Sequence, residues 1–224
     1  MLNTLAVIPA IGTESDWRKK GTIPIRAKGS PGAFQNKDTL ITLAAKKALA
    51  VTPYVLVVSD NSAVLREAAK LKLNSLRVKR GKYHTIMSNG DLYMEALDWW
   101  AKKQKEILLD ILLVVNWETP LVTTKQLAEL TKLDEHDASS ACIVYKEDGR
   151  IWRSQQGYSR HIQDWDWHES LFVDTRAGYS TWVGDYVMMR HFRVPRHYMH
   201  VIPKNQGMRV TEPEDMKIVK GILR

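Results

Sequence analysis

Residues 54–70 read YVLVVSDNSAVLREAAK: a nearly unbroken apolar run, two residues suited to capping, then apolar positions at helical spacing. A strand without polar alternation is buried on both faces, which is the condition of strands in a parallel sheet. Asp60 and Asn61 both suit the cap of the following helix, whose apolar positions are Val64, Leu65, Ala68 and Leu71. Toward the amino end, residues 39–50 (TLITLAAKKALA) place Ile41, Ala44, Ala45 and Ala48 on one helical face, and Thr52-Pro53 stops that helix. Before it, residues 5–10 (LAVIPA) form a short apolar strand. Toward the carboxyl end the pattern predicts a short strand at 76–78, a helix over about 90–105, a strand at 110–115 (DILLVV), a helix capped by Thr123 and Thr124 that carries Leu127 and Leu130, and a strand at 139–145. Strand and helix in alternation predict an α/β protein with a mostly parallel sheet.

The texture changes between residues 146 and 196, where Gly, His, Arg and four of the eight tryptophans (Trp152, Trp165, Trp167, Trp182) crowd together. This interval reads as a small inserted subdomain of short strands and loops within a single domain spanning 1–224. Order returns with a strand at 198–202 and a last helix from about Glu212. Thr211 and Glu214 have the spacing of a capping box there, and Met216, Val219 and Ile222 supply the apolar stripe.

Composition narrows the class. The 224 residues are 44% hydrophobic and 26% charged, ordinary values for a folded soluble chain, and no apolar run approaches the roughly 20 residues that span a bilayer. The first ten residues lack the basic region of a signal peptide, so the chain reads as cytoplasmic with no membrane partner. The single cysteine, Cys142, lies in an apolar strand and reads as a core thiol. A formal charge of +8 favours anionic partners such as nucleotides, sugar phosphates or nucleic acid, with a solvated basic surface as the alternative.

The chemistry begins where the first strand ends. Residues 11–29 (IGTESDWRKKGTIPIRAKG) are rich in Gly and Lys, and a buried strand that opens into such a loop is how α/β enzymes offer backbone N–H groups and ammonium charges to phosphates. A loop with ordinary surface charge is the competing reading.

These pieces also occur in a familiar order: LAVIPA with its basic loop, KDTLITLAAKKAL, YVLVVSDNSAVLREAAK, LLVVNWETPLVTTKQL, SSACIVY and VTEPEDMKIVKGIL. In that order the chain resembles the acylneuraminate cytidylyltransferases, the CMP-sugar synthetases, and more distantly the 3-deoxy-manno-octulosonate cytidylyltransferases. The resemblance implies a doubly wound sheet of the nucleotide-diphospho-sugar transferase kind. It implies attack of a sugar hydroxyl on the α-phosphate of CTP, with pyrophosphate released and a CMP-sugar formed. It further implies a nucleotide and a sugar as partners, and a homodimer.

Several positions carry the resemblance. The family's phosphate loop, A-R-x-G-S-K, corresponds to Ala10–Ser15: Gly12 is retained, Ile11 stands for the arginine, Glu14 and Asp16 add negative charge, and Arg18, Lys19 and Lys20 would hold the phosphates. The family's L-L-Q-P-T-S-P-L-R corresponds to Val114–Val122, where Asn116 replaces the glutamine and Trp117 offers either a stacking ring or a core residue. The family's D-I-D-T-x-x-D, two carboxylates of which hold a catalytic Mg²⁺, corresponds to Arg209–Asp215. Arg209 and Thr211 replace both ligands, and a guanidinium cannot bind a cation but can neutralise a phosphate. Asp215 is retained and Asp185 is a substitute ligand, so Arg209, Asp215 and Asp185 are the candidate catalytic residues.

Two clusters stand outside the resemblance. On an extended strand Asp164, Asp166 and His168 would share one face, giving either a metal site or the polar side of a half-buried strand. Residues 190–198 (RHFRVPRHY) combine charge with rings, as a nucleic-acid surface or a solvated loop would. The latter supports a competing function, a glycosyltransferase that uses a nucleotide-sugar donor on a nucleic-acid acceptor. A non-catalytic relative on the same fold is the third possibility.

Overall fold

The computed structural model describes residues 2–11, 38–79, 90–147, 152–155, 158–161, 171–192 and 196–223. Along them run β1 (Thr4–Ala10), α1 (Leu40–Leu49), β2 (Tyr54–Ser59), α2 (Ser62–Lys70), β3 (Asn74–Arg77), α3 (Gly90–Lys103) and β4 (Ile111–Val115). There follow α4 (Thr124–Glu129), β5 (Ser140–Glu147), β6 (Trp152–Gln155), β7 (Tyr158–His161), β8 (Leu171–Trp182), α5 (Val183–Met189), β9 (His197–Ile202), a short 3₁₀ turn (Lys204–Gly207) and α6 (Pro213–Ile222). Seven strands form one sheet in the order β3-β2-β1-β4-β8-β5-β9, and β6 pairs with β7 in a separate antiparallel ribbon. All pairings in the large sheet are parallel except those of β8.

Alternation along β1 sets the layers. Ala6 and Ile8 point to a face covered by α1, α2, α4 and α6, through Ile41, Ala45, Val64, Leu127 and Val219. Leu5 and Val7 point to the other face, where α3 and α5 bring Leu92, Tyr93, Trp100 and Tyr186. The sheet is therefore doubly wound, with helices on both faces, as the strand composition required. Local signals place the helix starts: Thr39 and Thr42 form a reciprocal capping box on α1, Thr123 and Gln126 another on α4, and Asn61 rather than Asp60 caps α2 by accepting from Ala63 N.

Three expectations are corrected. The interval 146–196 divides, because its second part supplies β8, a central strand of the main sheet, while β6 and β7 are the strands that stand apart from it among the described residues. The last helix is capped one residue later than Thr211, by a box between Glu212 and Asp215, because Pro213 suits the first helical turn and shifts the start. Its stripe is shorter too: Met216 and Val219 are buried, whereas Ile222 is half exposed.

β8 is irregular where it crosses from one end of the sheet to the other. Cys142 pairs with Tyr179 and Val144 with Asp174, so residues 175–178 bulge opposite Ile143 alone. In a regular strand Asp174 and Tyr179 would face opposite ways. The bulge brings them to one face, where the Tyr179 hydroxyl donates to Asp174 Oδ2. Just below, Gly178 sits so close to its neighbours that a Cβ would lie 3.0 Å from Leu130 Cδ1, 3.2 Å from Leu127 Cδ2 and 3.3 Å from the Val114 carbonyl oxygen. Gly178→Ala is expected to cost about 1–3 kcal/mol by overpacking, read as a lower urea midpoint with an unchanged m-value.

Candidate functional site

The strand order changes direction between β1 and β4, and ligands of doubly wound sheets bind outside the carboxyl ends of the strands at that point. The parallel strands fix which end this is. Ala10 pairs with Ser59 and Val7 with Val114, so the loops after β1, β2 and β4 all leave from one edge. Ser59 Oγ locks that edge by donating to the Ala10 carbonyl at 2.6 Å. The residues expected in the phosphate loop, Gly12, Arg18, Lys19 and Lys20, lie outside the described residues, as do Asp164, Asp166 and His168.

Asn116 follows β4 at the centre of this edge and organises it. Its Oδ1 accepts from Glu118 N at 2.9 Å, its Nδ2 donates to the Arg176 carbonyl at 3.0 Å, and its backbone N donates to the Ala177 carbonyl at 3.0 Å. Thr119 Oγ1 adds a bond to the Asn116 carbonyl at 2.9 Å. The buried amide thus ties the turn after β4 to the bulge of β8. Trp117, beside it, is 2% exposed and packs in the core under α1 and α4, so it does not offer a face for stacking on a base.

Lys47 of α1 closes the other side of the turn. Its Nζ donates to the carbonyls of Pro120 and Val122, each at 2.5 Å, and burial lowers its pKa from 10.5 to about 8. With Leu40, Ala44, Asn116 and Thr119 it lines a small cleft.

Arg209 stands against the same turn. Its Nη2 donates to Glu118 Oε2, and Val210 N donates to the Glu118 carbonyl at 2.7 Å, so side chain and backbone bind the two segments together. Glu118 is 8% exposed, and Arg209 Nε is buried with no hydrogen-bond partner among the described residues. Gln126 of α4 donates to Gln206 of the 3₁₀ turn at 2.5 Å and pins the chain just ahead of Arg209.

The other candidate ligands lie elsewhere or are already engaged. Asp215 Oδ2 accepts from Thr211 N, Thr211 Oγ1 and Glu212 N at 2.8–2.9 Å, completing the cap of α6. Asp185 is in the first turn of α5, which leaves the sheet where Trp182 pairs with Ile111 and Val183 N reaches the Asp110 carbonyl. That is the amino end of β4. Five residues of extended strand, about 17 Å, separate it from Asn116, so the structure does not bring Asp185 to Arg209.

The divalent cation implied by the resemblance does not fit this donor set. A guanidinium stands at the first ligand position, the Thr211 hydroxyl and Asp215 serve the cap, and the nearby carboxylate, Glu118, is bound to Arg209. Among the described residues no group of three or more His, Cys, Asp or Glu side chains is placed to hold a metal.

In the basic, ring-bearing stretch at 190–198, Phe192, Tyr198 and Arg196 have partners within the protein. Phe192 is buried against Tyr93, Tyr179 and Tyr186 at centroid distances of 4.7–5.7 Å, Tyr198 stacks on His136 at 3.7 Å, and Arg196 pairs with Asp137 at 2.7 Å. Its rings hold elements together instead of offering a platform for bases.

Sequence reasoning missed Glu118, Lys47 and Arg176. Arg176 is exposed at the bulge in a left-handed conformation (φ 57°), held there by Asp174 Oδ1 on its N–H at 2.7 Å and by Asn116 on its carbonyl. A non-glycine residue in that region stores backbone strain, and such strain gathers at functional sites.

Comparison with solved structures gives the same architecture over essentially the whole chain. A CMP:2-keto-3-deoxy-manno-octonic acid synthetase complexed with CTP superposes with a TM-score of 0.62 at 13% identity, covering 99% of this chain and 98% of that one. A 4-diphosphocytidyl-2C-methyl-D-erythritol synthase from Anaerococcus prevotii gives 0.67 at 12% identity over 99% and 96%. Another synthase of that name gives 0.69 at 12% identity over 100% and 99%. The chain has a cytidylyltransferase-like fold. No protein-family profile and no curated protein sequence matches it. The solved structures carry two different cytidylyltransferase names, so the likeness extends to the fold and not to the acylneuraminate enzymes in particular.

Two outcomes are expected here. Because the unfolded chain holds the Lys47 proton more tightly than the folded one, stability gained from this site should rise between about pH 8 and 10.5; urea titrations should show that rise in wild type and its loss in Lys47→Met. Arg176→Gly should raise stability by about 1 kcal/mol by relieving the left-handed backbone, whereas Arg176→Ala should not.

Proposed function

We propose that the chain is a nucleotidyltransferase that binds CTP in the crevice at the carboxyl ends of β1 and β4 and passes its cytidylyl group to a sugar or sugar acid. The observation that carries this reading is the Asn116 turn at the point where strand order reverses, at the same sheet edge from which the chain leaves β1 toward the Gly- and Lys-rich sequence. The cytidylyltransferase names of the similar structures, and the CTP bound in one of them, support it.

In this reading a sugar hydroxyl oxygen forms a bond to the α-phosphorus as the bond to pyrophosphate breaks, and the hydroxyl proton leaves to solvent. Catalysis of such a transfer is largely positioning and charge neutralisation. Arg18, Lys19 and Lys20 supply charge toward the phosphates, Arg209 supplies a guanidinium beside them, and Asn116 fixes the turn on which the nucleotide rests. Asp215 serves by setting the start of α6, and so the placing of Arg209. Transfer of a sugar to nucleic acid is the less favoured reading, since Phe192 of the 190–198 stretch is buried and Tyr198 is stacked on His136.

The test is direct. Calorimetry should detect CTP binding to the purified chain, and pyrophosphate should appear when CTP is supplied with a panel of acidic sugars and sugar phosphates. Absence of CTP binding would remove this reading.

A further inference from the structure

We infer that the Glu118–Arg209 ion pair takes the place of the divalent cation, so that the crevice receives nucleotide phosphates without a bound metal. This rests on the nucleotide reading of the site and goes beyond it by stating how the charge of the phosphates is met.

A divalent cation held by two carboxylates is neutral overall, and so is a guanidinium held by one carboxylate. The exchange therefore keeps the net charge of the site while replacing a mobile ion by a covalently attached group. Next comes rigidity. Glu118 is fixed through its backbone at both ends, its N–H donating to Asn116 Oδ1 at 2.9 Å and its carbonyl accepting from Val210 N at 2.7 Å. Its carboxylate then fixes Arg209 through Nη2. A guanidinium has five N–H donors, and one carboxylate contact leaves most of them for other oxygens. The Arg209 side chain is 34% exposed against 10% for Glu118, so the cationic partner is the one open to an incoming ligand. Arg209 Nε is buried with no partner among the described residues, so the exposed part of the side chain is the Nη end of the fork, whose N–H groups match a phosphate or carboxylate edge.

The pair is also incompatible with a metal at the same place. A cation near Arg209 would meet a like charge, and Glu118, its charge already balanced by the guanidinium, would hold such a cation weakly.

The inference is tested with CTP and with Mn²⁺ alone on the full chain. Wild-type affinity for CTP, measured by calorimetry, should change less than threefold between excess Mg²⁺ and EDTA; a tenfold or greater loss in EDTA would overturn the inference. Wild type should not bind Mn²⁺ by paramagnetic resonance, whereas Arg209→Asp, which sets a second carboxylate beside Glu118, should bind it. Stoichiometric Mn²⁺ binding by wild type that disappears in Glu118→Gln would equally overturn it. If CTP fails to bind under every condition the nucleotide reading falls, and the Mn²⁺ measurements on wild type and Glu118→Gln still decide the question of the cation.

Discussion

One buried amide holds the working end of this sheet together. Asn116 lies where β4 ends and where strand order reverses, and it bonds at once to its own turn and to the bulge of β8. A buried amide left unpaired costs about 1–3 kcal/mol per missing bond, so the turn and the bulge are each held in the shape that satisfies it. Glu118 is placed by that turn, Arg209 by Glu118, and the approach to α6 by Arg209 and Val210. The crevice is thus a chain of dependent contacts that starts from a single side chain.

Much of the fold was legible because it rests on local periodicity. The apolar run at 54–59 forms β2 over those same residues, and the spacing of Ile41, Ala44, Ala45 and Ala48 gives the buried face of α1. β8 was not legible, since Asp174, Arg176 and Gly178 interrupt its alternation and the bulge reverses its phase midway. β3 begins two residues before the expected strand, at Asn74, because pairing with β2 and not hydrophobicity fixes so short an element. The cap of α6 moved from Thr211 to Glu212 because Pro213 favours the first helical position.

The site was legible only where its residues follow strands. Asn116 stood out as a polar residue closing an apolar run. Glu118 and Arg209 are 91 positions apart, and nothing local in either segment announces the other. Lys47 looked like one more basic residue on a helix, and only packing shows its amine turned onto two backbone carbonyls. The ring-bearing stretch at 190–198 misled for the opposite reason, because in a composition suited to a surface Phe192 packs between α3 and α5 and Tyr198 of β9 stacks on His136.

The bulge in β8 separates two regions that answer to different constraints. Below it, Tyr179 to Trp182 are registered against β4 and β5 on both sides and must keep step with the core. Above it, Leu171 to Asp174 pair with β5 alone, and the phase of this upper part is set anew by three extra residues. A change of length or direction in the segment joining β5 to β8 is therefore absorbed before it reaches β4. Residues 179–181 and the Asn116 turn beside them can keep their places while the stretch joining β5 to β8 varies.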